Sequence, residues 1–125
     1  MILPEAGELL APAMAIDGFL LGCLVDASPG MVLASLQNSA ALSPPTAAAG
    51  AADLVSVLTL LNGKLATGEI LEDVLITLSD SFFMVRPVGQ DREPRILLLV
   101  VTDRHRTNLA MAHRSLRDLC AGFPS

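Results

Sequence analysis

The stretch Thr46–Ala66, TAAAGAADLVSVLTLLNGKLA, decides how the rest of the chain is read. Thr46 suits an N-cap, and Ala47 to about Ala66 is expected to form one long helix. Only two of its 21 positions are charged, Asp53 and Lys64. At about 100° per residue, Leu54, Leu58, Leu61 and Leu65 fall on one stripe, expected to face a sheet. The opposite side should be wet and charged, yet it holds Ala48, Ala51, Ala52, Val55, Ser56, Thr59, Asn62 and Gly63. Small residues four apart, as in Ala48–Ala52–Ser56 and Thr59–Gly63, let another backbone approach closely. Ala and Leu make 40 of the 125 residues, so composition alone supplies part of this pattern. A helix that is apolar nearly all round is nevertheless usually a buried one. The eight small-side positions are therefore read as a surface covered by a partner or a second copy, which Ala52→Glu would separate.

The segments around this helix read as a sheet. Gly18–Val25, GFLLGCLV, is apolar at both alternating sets of positions, as in a strand covered on both sides. Asp26–Gly30 is a turn, and Met31–Leu36 returns as the second strand of a hairpin. Gln37–Pro45 reads as a loop ending in Pro44-Pro45. After the long helix, Glu72–Ser79 and Ser81–Val88 are strand-like runs joined tightly at Asp80. The charged loop Gly89–Pro94 leads to Arg95–Thr102, RILLLVVT, the strongest strand signal in the chain. Residues 4–15 make a short helix limited by Pro12, and about 107–121 make a final helix stopped at Gly122. The order α-β-β-α-β-β-β-α with short hairpin links gives an α+β fold, an antiparallel sheet with helices on its faces.

Composition narrows the function classes. The chain has 125 residues, 52% of them hydrophobic and 17% charged, enough for one well-buried domain spanning 1–125. Mean hydropathy is +0.57, yet the longest runs without a polar residue, such as Phe19–Val25, fall well short of the ~20 residues a bilayer requires. No membrane span is expected. The net charge of −5 comes from residues 1–63, which carry five acids and no Lys, Arg or His. An acidic chain with four Phe, no Tyr and no Trp offers neither a basic stripe nor stacking platforms, which argues against nucleic acid. Leu20-Leu21-Gly22-Cys23 imitates a lipoprotein cleavage box, but no positive n-region precedes it. Two cysteines, Cys23 and Cys120, make no disulfide framework, and a cytoplasmic, reduced chain is expected.

Chemistry-bearing motifs are sparse. GxGxxG, GxxxxGK[ST] and HExxH are all missing, so no dinucleotide, P-loop or zincin site is signalled and no cofactor is expected. His105 and His113 are eight apart with no Cys or carboxylate completing a metal spacing, and His113 reads as a helix-surface residue. Cys23 lies within an apolar strand, where a thiolate is disfavoured. Arg104, His105 and Arg106, with Arg114 and Arg117 on the last helix, form a modest basic patch, read first as a solvated end.

Taken in order, DGFLLGCLVDASPGMVLAS (17–35), AAAGAADLVSVLTLLNGKL (47–65) and ILLLVVTDRHRTNLAMAHRSL (96–116) resemble the Roadblock family of dynein light-chain-like proteins, its bacterial members above all. The resemblance covers about residues 5–121. It rests on the hairpin Leu24-Val25-Asp26 through Gly30-Met31-Val32-Leu33, and on Leu97–Val101, Asp103 and Asn108-Leu109 before the last helix. Pro12 and Pro44-Pro45 depart from the expected pattern. The resemblance implies a profilin/longin-like five-stranded antiparallel sheet, one long helix on one face and the terminal helices on the other. It implies a non-catalytic homodimer built through the long helix and an adjacent sheet edge. It also implies a small Ras-like GTPase as partner, with the chain acting as a scaffold or GTPase-activating subunit, and a sensor-kinase-like protein as a further partner. Arg104 and Arg106 are the loop residues that would contact the GTPase. The competing reading is a small-ligand sensory domain of GAF- or PAS-like outline, in which the apolar helix face lines a pocket.

Overall fold

The computed structural model describes residues 3–123. Helix α1 (Leu3–Leu10) continues into a 3-10 turn at Ala11–Ala15, where Pro12 takes a position tolerated in a first turn. Strands β1 (Phe19–Asp26) and β2 (Met31–Gln37) form the first hairpin. Helix α2 runs Pro44–Leu65, followed by β3 (Val74–Thr77), β4 (Ser81–Pro87), β5 (Ile96–Asp103) and α3 (Leu109–Ala121). The five strands form one antiparallel sheet in the order β2-β1-β5-β4-β3. Element order and fold class are those read from the sequence.

Two boundaries differ from expectation, each for a local reason. The N-cap of α2 is Ser43, whose Oγ accepts from the Thr46 amide at 3.4 Å, and Pro44-Pro45 belong to the first helical turn. Proline suits that turn because its missing N–H would have had no partner there. β3 is four residues long, where Glu72–Ser79 had promised eight. Its only ladder is to β4, so the flanking residues have no second strand to hold them extended.

The central strands β1 and β5 are buried on both sides, as the unbroken apolar runs require. Leu24, Leu98 and Val100 point with Met84 toward α1 and α3, where Leu10, Ala112 and Leu116 close one core. Leu21, Cys23, Val25, Leu97, Leu99 and Val101 point the other way, toward α2. Cys23 thus sits in the middle of β1, fully buried.

The orientation of α2 reverses what its sequence suggested. Ala48, Ala51, Ala52 and Val55 are its buried residues, packed on the sheet, and Leu61 and Leu65 of the leucine stripe point outward. The small side chains do permit close approach, but to the protein's own sheet and first hairpin. A Cβ placed on Gly30, where φ is +92°, would stand 3.2 Å from the Ala52 Cβ and 3.4 Å from the Ala49 Cα. The sheet face beneath is already filled by leucines and valines, so small helix residues complete the volume where large ones would overpack. α2 has 22 residues and is apolar enough, by length and composition, to cross a bilayer, but this inner face fixes it to the sheet.

Ala52→Glu consequently acts on the fold before it acts on any partner. A carboxylate forced between α2 and the hairpin gives up its hydration and crowds Gly30, and the variant should lose roughly 3 kcal/mol or more of stability. Urea unfolding checks this, and an unchanged midpoint would refute the packing described.

Candidate partner-binding surface

The eight positions read as an interface separate into three groups. Ala48, Ala51, Ala52 and Val55 belong to the core, Ala52 and Val55 reaching only the floor of a shallow surface groove. Asn62 is a structural tie. Its Nδ2 donates to the Glu69 carbonyl at 2.6 Å, and its own carbonyl accepts from Ala66, the left-handed residue (φ +53°) that ends the helix. Ser56, Thr59 and Gly63 line a shallow groove between α2 and the loops carrying Ser28 and Glu93-Pro94.

The surface that α2 does offer is made of larger residues. Val57 (63% exposed), Leu60 (61%), Leu61 (50%) and Leu65 (63%) lie on its outer side, with Asp53 and Lys64 as the only charges on the helix. Ile70 continues the apolar surface into the following loop. At the far end of the sheet, β3 leaves one edge unpaired, with Leu75 and Leu78 exposed. An exposed helix side this rich in large apolar residues, with Asp53 and Lys64 set among them, marks a binding surface more often than a solvated one.

The two loop arginines have different situations. Arg104 is held in place: Nη1 donates to the Leu78 carbonyl at 3.1 Å, and the guanidinium lies 5.9 Å from the centre of the Phe82 ring. Beside it, His105 Nε2 lies 2.9 Å from Asp80 Oδ1. Together they clamp the β3–β4 turn to the β5–α3 connection. The Arg106 side chain is exposed and makes no hydrogen bond or ion pair to another described residue. Of the pair, Arg106 is the one available to a partner.

A polar cluster joins α3 to β4 and the segment before β3. Asp73 Oδ2 lies 3.1 Å from Arg86 Nη1 and 2.6 Å from His113 Nε2. His113 was expected on the helix surface and is indeed exposed, but it is tethered. The pair spans 40 residues of sequence, so no local spacing announces it. Among the described residues, no group of three or more His, Cys, Asp or Glu side chains is arranged to hold a metal ion.

Neither thiol is poised for nucleophilic attack. Burial pushes Cys23 up from 9.0 to about 11. Cys120 is likewise pushed up to about 11 by burial, against a smaller downward pull from Arg86. The geometry therefore defines an α+β module whose recognition features are surfaces. No protein-family model matches the sequence, and no curated protein is significantly similar to it.

Solved structures place the fold. The Roadblock/LC7 domain from Streptomyces avermitilis is 17% identical over 92% of this chain and 91% of that chain, with a TM-score of 0.77. Myxococcus xanthus MglB is 15% identical over 95% of this chain and 84% of that chain, with a TM-score of 0.78. An MglB structure described as a tetrameric arrangement is 21% identical over 94% and 84%, with a TM-score of 0.77. The chain has the Roadblock/LC7 fold, and at these identities the likeness is one of fold.

The raised thiols set a pH dependence. Between pH 9 and 11 an unfolded chain has released protons that the folded chain retains, so stability falls as pH rises through that window and is untouched by these groups at neutral pH. With no Tyr and a single Lys in the chain, few other groups titrate there. Urea midpoints at pH 7 and pH 10 should differ more in the native chain than in Cys23→Ala/Cys120→Ala, and equal slopes would contradict the assignment.

Proposed function

We propose that this chain is a non-catalytic, homodimeric interaction module of the cytoplasm that binds and regulates a small Ras-like GTPase, as a scaffold or GTPase-activating subunit. The observation that carries this reading is the uncovered apolar side of α2 on a Roadblock/LC7 fold. Val57, Leu60, Leu61 and Leu65 supply a seam that a second copy covers, and the free β3 edge at the far end of the sheet offers further backbone donors and acceptors. A solved MglB described as a tetrameric arrangement supports self-association as a habit of the fold. The sequence resemblance supports the GTPase and, as a further partner, a sensor-kinase-like protein. Two free cysteines fit a reducing compartment.

Any hydrolytic chemistry belongs to the GTPase, and this chain's contribution is to position it. Arg106 is the residue free to reach a developing phosphate charge, because Arg104 is committed to Leu78 and Phe82. The ligand-sensor alternative fares worse, since the alanine face that would have lined its pocket is packed directly on the sheet.

Leu61→Glu, on the outer side of α2, should halve the particle mass in size-exclusion light scattering while the monomer still unfolds in one cooperative urea transition, its midpoint lowered by the stabilisation that association supplied. A dimer that survives would sink the α2 seam. Affinity capture from the native host, with a GTP analogue or GDP present, should recover a Ras-like GTPase in near-equal amount. In the reconstituted pair, a GTPase-activating role predicts that Arg106→Ala lowers stimulated turnover by on the order of 10³-fold. Unchanged turnover assigns the scaffold role, and recovery of no GTPase contradicts the proposal.

A further inference from the structure

The exposed side of α2 has an internal order that apolarity alone does not account for. Thr46, Gly50, Asp53, Val57, Leu60 and Lys64 stand alternately four and three residues apart, and all six are exposed. That alternation is the seam spacing of paired helices, which keeps one stripe toward a partner over several turns. Val57 and Leu60 are the large apolar members at its centre, and Leu61 and Leu65 widen it on one flank. The two charges of the helix stand on either side of that centre, Asp53 four residues before Val57 and Lys64 four residues after Leu60.

Neither charge finds a partner within one chain. Asp53 and Lys64 lie about 16 Å apart along the helix axis, too far to pair with each other. The positions three and four residues from each hold no opposite charge, so neither has an intrahelical partner. Neither forms an ion pair with another described residue, although Glu93 lines the same groove as Lys64. Lys64 sits in the last turn, where the helix dipole favours a cation. Asp53 has no such reason to be there, since it is in mid-helix, where Asp is a poor helix former.

Two copies laid antiparallel supply the missing partners. The midpoint between Asp53 and Lys64 falls between Leu58 and Thr59, and so does the midpoint between Val57 and Leu60. A two-fold axis there sets Asp53 of each copy opposite Lys64 of the other, and Val57 opposite Leu60. The two charges are only about 20° apart around the helix, so both lie along the same seam. A parallel pair would instead set Asp53 on Asp53 and Lys64 on Lys64, where like charges repel.

We propose that Asp53 and Lys64 register this interface, so that α2 selects a second copy of this same chain, antiparallel, with an Asp53–Lys64 pair closing each end of a Val57–Leu60 core. The proposal rests on the reading of α2 as a homodimer seam and adds what chooses the copy. Leucines alone fix neither direction nor offset, whereas this charge order accepts an identical helix and rejects one carrying the reverse order.

The test uses the single reversals Asp53→Lys and Lys64→Asp and the exchange Asp53→Lys/Lys64→Asp, all at exposed positions. Dissociation constants are read by fluorescence-detected sedimentation. Each single reversal turns two attractions into two repulsions and should weaken the homodimer at least about tenfold, while the exchange should return it to within about threefold of native. Mixed with the native chain, the exchanged chain should form well under the half share of mixed dimers that random pairing gives. Direction is read separately with a short bis-maleimide in a Cys120→Ser background, Cys23 being buried. Asp53→Cys and Lys64→Cys should crosslink to each other when mixed, and neither should crosslink to itself. A monomeric native chain would overturn the homodimer reading and this proposal with it. A native dimer would overturn the register alone if single reversals cost nothing, if the exchange restored no affinity, or if Asp53→Cys crosslinked to itself.

Discussion

The contact on which the rest of the structure depends is the one between the alanine side of α2 and the central strands. Ala48, Ala51, Ala52 and Val55 let the helix lie close above β1 and β5, whose leucines and valines already fill that layer. Gly30, with its positive φ, lets the β1–β2 turn fit against the same alanines. Because the inner side is occupied by the smallest residues, the large apolar residues of α2 are left outside. The close packing of the monomer and the stickiness of its surface are therefore two results of one arrangement. Val57, Leu60, Leu61 and Leu65 cannot all be buried within a single chain folded this way.

Charge is divided along the same line. Residues 1–63 contain no basic side chain, and every Lys and Arg follows. The outer side of α2 is accordingly almost neutral, and a second uncharged surface is what complements it. The β4, β5 and α3 side carries fixed polar links instead: Arg104 across to the Leu78 carbonyl, His105 beside Asp80, and Asp73 between Arg86 and His113.

Much of the fold was legible because it follows from patterns of near neighbours. The doubly apolar runs GFLLGCLV and RILLLVVT announced central strands, the Asp26–Gly30 turn announced the hairpin, and the long helix stood out by its lack of charge. The boundary at Ser43 was obscured because a proline pair reads as a loop, although proline is well placed in a first helical turn. The helix face was misassigned for a deeper reason. Periodicity separates a leucine side from an alanine side but does not say which one the sheet accepts, and that depends on volume already committed in strands distant in sequence. The Asp73–Arg86–His113 cluster was illegible for a related reason, since its members come from a loop, a strand and a helix that only the folded chain brings together. The difference between Arg104 and Arg106 likewise turns on Leu78 and Phe82, more than twenty residues away.

The claim that most needs measurement is that the outer side of α2 is covered by a second copy in the native protein. Sedimentation equilibrium of the unmodified chain at micromolar concentration tests it without any substitution. A covered α2 gives a single species of twice the 13.1 kDa chain mass, with no lighter species at the low end of the concentration range. A stable 13.1 kDa monomer across that range would contradict it, because the leucines of α2 would then be tolerated in water with nothing to cover them.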